Sequence, residues 1–270
     1  MENFNVRRIP TNFKKEIIEN YNNGISSRKI AEKYNLKTIS VQKFLSKLGL
    51  LRSPSEAAIK YKIDSNLFVN VDCEWKAYFL GWIASDGNVY LGSRKHTISL
   101  TIVENDRHIL DYFNIKIFNG FKPLNYRKAR YKKGTNYYCK PLYRFSIDNK
   151  KMCYDLLNLG VTNNKSNTIG EIKIPNKFIR HFIRGVFEGD GSIGKNNSGK
   201  KVLFFTNSLL FKNWLILLLK QELNIDPKVY QNEKGLFNIV FYKKKYIELF
   251  YNYIYSDCEM FLARKKEKFK

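Results

Sequence analysis

Two aspartates end two similar segments of this sequence, and their spacing suggests metal chemistry. Residues 79–87 (FLGWIASDG) and 183–191 (IRGVFEGDG) align without gaps, which places Asp86 opposite Asp190. An acid at the end of an apolar helix is opposed by the helix dipole, so a purely structural role is disfavoured. Two adjacent carboxylates repel each other, and a divalent cation relieves this repulsion. We therefore predict a Mg²⁺ (or Mn²⁺) site, because Mg²⁺ binds a few carboxylates with water and phosphate oxygens and activates water for phosphodiester hydrolysis.

The two segments also carry the small residues that a close helix pair requires. Gly81 and Ser85 in the first segment, and Gly185 and Gly189 in the second, recur at i and i+4. This spacing allows two helices to pack backbone to backbone, which would bring the two aspartates together at the helix ends. Ser85 and Gly189 directly precede the aspartates, and we expect them to be further metal ligands. The glycine after each aspartate is expected to leave its helix with a positive φ.

The same order of elements follows each motif segment. In the first copy the pattern predicts helices at 74–85, 106–113 and 150–159, and strands at 88–92, 96–103, 123–131 and 137–147. In the second copy it predicts helices at 176–188, 208–223 and 244–255, with strand pairs around 196–199 and 233–235. A repeat of about one hundred residues is a duplicated domain rather than a solenoid. We therefore predict an α+β fold with two pseudo-symmetric αββαββα repeats, at residues 73–166 and 167–270.

The N-terminal part has the pattern of a helix-turn-helix. Apolar residues at helical spacing predict three short helices, of which the second is capped by Ser26 or Ser27 and the third is stopped by Gly49. Residues 1–52 therefore resemble a DNA-binding module, although a plain three-helix cap has the same pattern. The outward residues expected to face a DNA groove are Lys37, Thr38, Ser40, Gln42 and Lys43. Residues 53–72 are polar and are interpreted as a linker, with one short helix at 56–61.

The charge of the chain indicates a polyanionic partner. The chain of 270 residues has 48 Lys and Arg against 24 Asp and Glu, a net charge of +24. A folded protein with such an excess is destabilised by self-repulsion unless a polyanion neutralises it. Nucleic acid is the usual partner, although ribosomal and membrane-surface proteins show the same charge. The 18 Tyr and 20 Phe exclude a disordered basic tail, so the charge lies on a packed scaffold.

Other classes of protein are disfavoured by the cysteines and by the apolar segments. The four cysteines are too scattered for a CxxC pair, so a zinc finger is not expected and the thiols are expected to be reduced. The N-terminus carries no apolar run of a signal peptide, and the longest apolar stretch, 214–219, is too short to cross a bilayer. We therefore expect an intracellular, soluble protein, in a bacterial or phage-infected cytoplasm or an organelle matrix.

The two motifs together resemble the LAGLIDADG homing endonuclease family. The resemblance covers residues from about 74 to 270, and it extends to 160–166, 180–193 and 255–265. It implies a monomer whose two sheets lie in the DNA major groove, and a staggered double-strand cut at a long site. The aspartates that match the motif, Asp86 and Asp190, would then bind Mg²⁺. The sixth motif position departs from the family pattern, because it holds Ala84 in one copy and Glu188 in the other.

Two lysines are candidates for a catalytic role beside the aspartates. Lys165 and Lys265 follow Asp86 and Asp190 at nearly equal distances along the chain. A lysine in such a place could polarise water or stabilise the pentavalent phosphate. A solvated or phosphate-contacting lysine fits the sequence equally well, and Arg264 and Lys266 remain alternatives to Lys265.

The outward face of the eight strands is the expected DNA-reading surface. Basic residues there would read guanine edges or anchor phosphates, and tyrosines interleave with them. The candidates are Arg94, Lys95, Arg127, Lys128, Arg130, Lys132, Arg144, Lys195, Lys200, Lys201 and Lys228.

Two other functions remain open beside a site-specific DNA endonuclease. A non-cutting DNA-binding regulator could keep the same fold, but both aspartates are present, which favours cutting. An RNA-splicing maturase could use the same basic surface on an intron. The predicted helix-turn-helix favours duplex DNA as the partner, because the deep, narrow major groove of RNA excludes a helix.

Overall fold

The chain folds into two compact units, residues 1–63 and 64–270. The computed structural model describes residues 9–22, 25–52, 63–93, 95–196 and 199–270. The division falls inside the segment that we interpreted as a linker. The short helix expected at 56–61 lies outside the described residues, as does Arg94. Among the described residues, no helix combines the length and the hydropathy needed to cross a membrane.

The N-terminal unit contains the three expected helices. They are α1 (Thr11–Asn22), α2 (Ser27–Lys33) and α3 (Thr38–Lys47). The Ser26 side chain caps α2 by accepting from the backbone N–H of Lys29 at 3.3 Å, because the first amides of a helix have no partner in the helix itself. Gly49, just after α3, has a φ of +66°, which suits a glycine that ends a helix. Apolar residues from all three helices form the core of this unit: Ile17, Tyr21, Ile30, Ala31, Val41 and Leu45.

The second unit repeats one order of helices and strands. Its first part contains α4 (Glu74–Ser85), β1 (Gly87–Leu91), β2 (His96–Val103), α5 (Arg107–Phe118), β3 (Asn125–Arg127), β4 (Arg130–Tyr131), β5 (Tyr138–Cys139), β6 (Leu142–Asp148) and α6 (Lys150–Asn158). Its second part contains α7 (Lys165–Thr168), α8 (Ile179–Asp190), β7 (Ser192–Asn196), β8 (Gly199–Thr206), α9 (Leu209–Leu223), β9 (Lys228–Gln231), β10 (Phe237–Phe241), α10 (Lys244–Tyr255) and α11 (Ala263–Lys266). Short 3₁₀ turns precede α5 and α8. The α+β class is confirmed.

The strands form two antiparallel sheets of the same design. Their orders are β1-β2-β6-β3 and β7-β8-β10-β9, and β4 pairs with β5 in a separate small hairpin. One face of each sheet is buried, by Ile98 and Phe145 in the first and by Val202 and Phe204 in the second. Alternate residues therefore lie on the opposite face, as the two-residue period of a strand requires.

Two of the predicted strands are interrupted, and the predicted linker is partly core. The strand expected at 123–131 is broken between β3 and β4, and the strand expected at 137–147 is broken between β5 and β6. Pro141 lies at the second break, where a residue without an N–H cannot continue the hydrogen-bond ladder.

Phe68 belongs to the segment interpreted as a linker, yet it is fully buried and stacks on Phe79 with ring centroids 5.2 Å apart.

Candidate functional site

The two motif helices, α4 and α8, pack through their glycines. A Cβ atom on Gly81 would lie 2.8 Å from the Cα of Gly185, and one on Gly185 would lie 2.9 Å from the Cα of Gly81. The Ser85 side chain occupies the space beside Gly189, where a Cβ would lie 2.6 Å from the Cβ of Ser85. Because the obstructing atoms are mostly backbone, the small residues allow the close approach. The predicted helix pairing is present.

This pairing brings Asp86 and Asp190 together at the ends of the two helices. Asp86 is the C-cap of α4, and Asp190 is the last residue of α8. The Oδ2 atom of Asp86 lies 3.4 Å from the position of a Cβ on Gly189, the neighbour of Asp190. Both aspartates keep an exposed surface, so they remain accessible to a ligand.

The glycines after the aspartates have a different role from the one expected. Gly191 has a φ of −77°, and Gly87 also lacks a positive φ, so the expected left-handed exit is wrong. A Cβ on Gly87 would lie 2.8 Å from the carbonyl oxygen of Ile83, and one on Gly191 would lie 2.9 Å from the Cα of Phe187. Glycine is needed at both positions because the backbone after each aspartate turns back closely against the last turn of the helix that it leaves.

Lys165 and Lys265 each reach the end of one motif helix. Lys165 Nζ donates to the carbonyl oxygen of Ala84 at 2.9 Å and also to that of Ser85. Lys265 Nζ donates to the carbonyl oxygens of Phe187, Gly189 and Gly191 at 2.9, 2.8 and 2.7 Å. Lysine is favourable at a helix C-terminus because its charge offsets the dipole. The two lysines therefore occupy corresponding places beside the aspartates.

Desolvation shifts the pKa of all four charged groups, and a neighbouring charge of the same sign adds to the shift at Asp190 and Lys265. Desolvation and then the charge of Asp86 raise the pKa of Asp190 to about 6, and desolvation also raises the pKa of Asp86. Desolvation lowers the pKa of Lys165, and desolvation together with the charge of Arg264 lowers the pKa of Lys265 to about 8. Strongly perturbed acids and bases in one place are typical of functional sites.

These shifts predict how stability depends on pH. The folded Asp190 carboxyl, with a pKa of about 6, keeps its proton to a higher pH than the unfolded one, whose pKa is about 3.9. The unfolded chain therefore binds fewer protons between these values, and the contribution of Asp190 to stability falls as pH rises from about 4 to about 6. We expect Asp190→Asn to gain unfolding free energy relative to the unmodified protein across that range, measured by urea unfolding. The exposed Asp226→Asn is the control, and an equal gain in both variants would contradict the prediction.

The residues present suit a hard cation at the helix ends. Two carboxylates and the carbonyl oxygens of Ser85 and Gly189 are oxygen ligands of the kind that Mg²⁺ prefers. Each carbonyl already accepts from a lysine and keeps one further lone pair. Among the described residues, no three His, Cys, Asp or Glu side chains could hold a metal together. A cation here would therefore take its other ligands from water or substrate oxygens, as Mg²⁺ commonly does.

Comparison with known proteins identifies the domain that contains the second motif. Residues 177–255 match the family described as LAGLIDADG-like domain. The second motif therefore lies in a region that is similar to LAGLIDADG-like domains. The homing endonuclease I-WcaI, solved bound to its DNA recognition sequence, is 16% identical to this chain. The likeness covers 74% of this chain and 88% of that one, with a TM-score of 0.56, so the chain has the LAGLIDADG fold.

Two further solved structures are similar to this chain at lower scores. The N-terminal LAGLIDADG domain of DUF199/WhiA is 15% identical, over 73% of this chain and 90% of that one, with a TM-score of 0.44. The LAGLIDADG meganuclease I-AabMI, bound to uncleaved DNA, is 10% identical, over 73% of this chain and 87% of that one, with a TM-score of 0.46. No curated protein matches the chain in sequence.

A buried charged network joins the two motif helices, and the sequence did not predict it. Arg184 of α8 is fully buried and donates from Nη2 to Glu74 Oε1 of α4 at 2.8 Å. Its guanidinium also lies 4.5 Å from the ring centroid of Tyr78. Glu188, at the sixth motif position, is buried and accepts from the Tyr78 hydroxyl. Arg184 and Glu188 stand four residues apart in α8, on one face of the helix, and this spacing is the sequence feature that could have revealed them.

Strand pleating places four of the predicted DNA contacts on the two outward sheet faces. Arg144 and Arg127 lie on the face of the first sheet opposite to its buried residues, where Arg144 Nη2 donates to Ser99 Oγ at 3.1 Å. Lys201 and Lys228 share the corresponding face of the second sheet. Four others are exposed in loops or in the small hairpin: Lys95, Lys128, Arg130 and Lys132.

Lys200 and Lys195 do not lie on the outward face that we expected. Lys200 follows the same face as the buried Val202, and its Nζ donates to the carbonyl oxygen of Phe269 at 2.8 Å. Lys195 is the cross-strand partner of Lys200 and therefore shares that face, although it is exposed. Consecutive residues point to opposite sides of a strand, so Lys200 and Lys201 cannot both face outward.

The predicted groove-facing residues of the N-terminal unit are only partly together. A groove of about 550 Å³ runs along α3, with basic and apolar residues around it. Its polar lining is Lys14, Lys37, Ser40, Lys43 and Lys47. Thr38 is half-buried as the first residue of α3. Gln42 lies towards α2, where its Nε2 is 3.5 Å from Ser27 Oγ.

Proposed function

We propose that this chain is a site-specific endonuclease that cuts double-stranded DNA at a long asymmetric site, as homing endonucleases do. The observation that carries the proposal is the pair Asp86 and Asp190 at the ends of two glycine-packed helices, with Lys165 and Lys265 beside them. The LAGLIDADG fold supports it. The solved relative I-WcaI is a homing endonuclease bound to its DNA recognition sequence, and we extend DNA binding to this chain by that likeness.

The charged groups have distinct roles in this proposal. Asp86 and Asp190 would hold Mg²⁺ (or Mn²⁺), with the carbonyl oxygens of Ser85 and Gly189 available as further ligands. When bound there, the metal would supply an activated water and would stabilise the leaving oxygen of the phosphodiester. Lys165 and Lys265 orient the helix ends and add positive charge where the pentavalent phosphate develops negative charge.

The two outward sheet faces form the proposed DNA surface. Arg127, Arg144, Lys201 and Lys228 would meet base edges or phosphates in the major groove, and the small basic hairpin would extend the contact on one side. The net charge of +24 supports a polyanionic partner. The lysine-lined groove of the N-terminal unit would add a second DNA-binding surface, so residues 1–52 are proposed as a helix-turn-helix domain.

One chain carries both aspartates, so no second copy is needed to complete the site. We therefore propose a monomer with repeats at 73–166 and 167–270. Because the two repeats differ in sequence, the two half-sites on the DNA should differ too, which suits an asymmetric target. The protein would act inside a cell or organelle, where such a target is present.

The test is a selection followed by cleavage. The protein is incubated with a pool of random duplexes, bound duplexes are recovered, and the recovered pool is treated with Mg²⁺. We expect cuts in both strands within one enriched sequence, and none when the metal is chelated. Binding of one sequence without cutting in Mg²⁺ or Mn²⁺ would contradict the endonuclease and favour a regulator. Preference for structured RNA over every duplex would favour a maturase.

Lys201 and Lys200 provide a matched test of the DNA surface. Lys201→Ala removes a charge from the outward face, so we expect weaker DNA binding. The slope of log affinity against log salt concentration should become less steep by about 1. Lys200→Ala removes the same charge from the opposite face. We expect it to leave DNA affinity nearly unchanged and to cost about 1 kcal/mol of stability through the lost hydrogen bond. Equal effects of both variants on affinity would contradict the assignment of the faces.

A further inference from the structure

The segment that carries Lys265 is attached to the rest of the unit by a buried carboxylate. Asp106, which is 4% exposed, accepts three hydrogen bonds from the guanidinium of Arg264. The Nε and Nη2 atoms of Arg264 lie between 2.6 and 3.0 Å from the two carboxylate oxygens. A forked guanidinium–carboxylate pair fixes geometry as well as supplying energy. Arg264 directly precedes Lys265, so this contact fixes the backbone that carries the lysine.

Two further carboxylates hold the same segment, residues 256–266, which we call the C-terminal segment. Glu74 Oε1 accepts from the backbone N–H of Glu259 at 2.8 Å. Glu188 Oε1 accepts from the backbone N–H of Leu262, also at 2.8 Å. Leu262 is the N-cap of α11, the short helix that contains Lys265. We call Asp106, Glu74 and Glu188 the carboxylate clamp.

Within the described part of the chain, the segment that carries Lys165 has no such clamp. Ser208 is the N-cap of α9, as Asp106 is of α5, and its hydroxyl donates to the carbonyl oxygen of Ile169. The residue in the place of Glu188 is Ala84, whose side chain cannot accept a hydrogen bond. No carboxylate among the described residues hydrogen-bonds to residues 160–169.

The two lysines are consequently held with different strength. Lys265 is 6% exposed and donates to three carbonyl oxygens, whereas Lys165 is half-buried and donates to two. Hydrogen bonds to a carboxylate are roughly twice as strong as neutral ones. The C-terminal segment is therefore more rigidly placed than its counterpart.

We propose that the carboxylate clamp positions Lys265 and makes the two halves of the cutting site unequal. Each clamp carboxylate hydrogen-bonds to Arg264 or to the backbone of the C-terminal segment, so the clamp residues are positioning residues that act through Lys265. The inference rests on the proposed endonuclease function. It implies that the strand served by Lys265 is cut faster and that a nicked duplex forms before the double-strand break.

Strand-resolved cleavage tests the role of the clamp. Single-turnover cleavage rates are measured for each strand separately, at saturating protein and with Mg²⁺. The substrate is the duplex recovered by the selection, labelled on each strand. Lys265→Met first identifies the strand that Lys265 serves, which we expect to be the faster one in the unmodified protein. We expect Asp106→Asn to slow that strand about tenfold to a hundredfold and the other strand less than about twofold, with unchanged DNA affinity. Asp111→Asn, which removes the same charge from an exposed pair with Arg107 on the same helix, should change neither strand.

Equal slowing of both strands, or no slowing by Asp106→Asn, would overturn the positioning role. Arg264→Lys is the second variant, because it keeps the charge facing Asp106 but loses the forked contact. We expect Arg264→Lys to slow cleavage of the same strand less than Asp106→Asn does. If Asp106→Asn fails to fold, Arg264→Lys replaces it: equal slowing of both strands, or no slowing of either, would again overturn the positioning role.

Hydrogen exchange of the protein alone tests the clamp without metal or DNA. We expect Asp106→Asn to speed exchange in peptides covering 256–266 and to leave peptides covering 160–169 unchanged, with Asp111→Asn as the control. Unchanged exchange at 256–266 would overturn the clamp whether or not the protein cuts DNA. A protein that cuts neither strand but shows the exchange effect would overturn the proposed function and leave the clamp as a docking contact only.

Discussion

The double variant Asp86→Asn/Asp190→Asn is expected to lose DNA cleavage while keeping DNA binding. Asparagine has nearly the same size as aspartate, so the helix pair should stay intact, but two neutral amides no longer attract a divalent cation. Loss of both carboxylates should reduce the single-turnover cleavage rate at least about a thousandfold, since the reaction depends on the metal for water activation. The variant should also unfold at a higher temperature, because it removes the desolvation of the charged carboxylate and the repulsion from Asp86, which together raise the pKa of Asp190.

The control for this variant is Asp111→Asn/Asp226→Asn, which changes the net charge equally at positions away from the helix ends. It should cut DNA at the normal rate. Gel-shift affinity, cleavage rate and melting temperature are measured for both double variants. Cleavage by Asp86→Asn/Asp190→Asn within tenfold of the unmodified protein would contradict the assignment. A loss of cleavage explained by a loss of DNA affinity would contradict the role given to the two aspartates.

Gly185→Ala is expected to separate the two motif helices and to damage both stability and cleavage. The added Cβ would meet the carbonyl oxygen of Tyr78 and would lie 2.9 Å from the Cα of Gly81 and 3.0 Å from the backbone nitrogen of Trp82. These are backbone atoms of a buried helix, so the helices must move apart. We expect a loss of about 3 kcal/mol in unfolding free energy, the upper end of the usual cost of overpacking. Cleavage by the folded fraction should fall about a hundredfold, since a displacement of about 1 Å is enough for such a loss.

Gly170→Ala is the matched control for Gly185→Ala. A Cβ on Gly170 would contact only the Leu210 side chain, at 3.5 and 3.8 Å, which is ordinary van der Waals distance. We expect its stability to differ from that of the unmodified protein by less than about 0.5 kcal/mol. Urea unfolding and single-turnover cleavage compare the two variants. If Gly185→Ala is as stable and as active as Gly170→Ala, then α4 and α8 do not require glycine at this contact, which would contradict the packing role given to the motif glycines.

The sequence was sufficient to predict the elements whose residues follow a regular period. The strand β2 and the helix α10 begin and end where the pattern predicted, because their apolar residues alternate with the strand and helix periods. The helix pair followed from the spacing of Gly81, Ser85, Gly185 and Gly189, because small residues one turn apart have few other uses in a buried helix. The closeness of Asp86 and Asp190 followed from that pairing alone.

Contacts between segments far apart in the chain could not be predicted from local patterns. Asp106 begins the helix predicted at 106–113, and no local pattern there indicates that it binds Arg264, 158 positions later. Phe68 was assigned to a linker because its neighbours are polar, although its ring fills the core beside Phe79. Period-two alternation could have separated Lys200 from Lys201, but the register that decides which of them faces outward is set by pairing with β7 and β10.

Binding of Mn²⁺ to the protein and its variants, in complex with the selected duplex, shows whether Asp86 and Asp190 form a metal site. Free Mn²⁺ is followed by electron paramagnetic resonance as the complex is titrated. We predict saturable Mn²⁺ binding by the unmodified complex, and loss of that binding in the Asp86→Asn/Asp190→Asn complex but not in the Asp111→Asn/Asp226→Asn complex. Equal Mn²⁺ uptake by all three complexes would contradict a metal site built on Asp86 and Asp190.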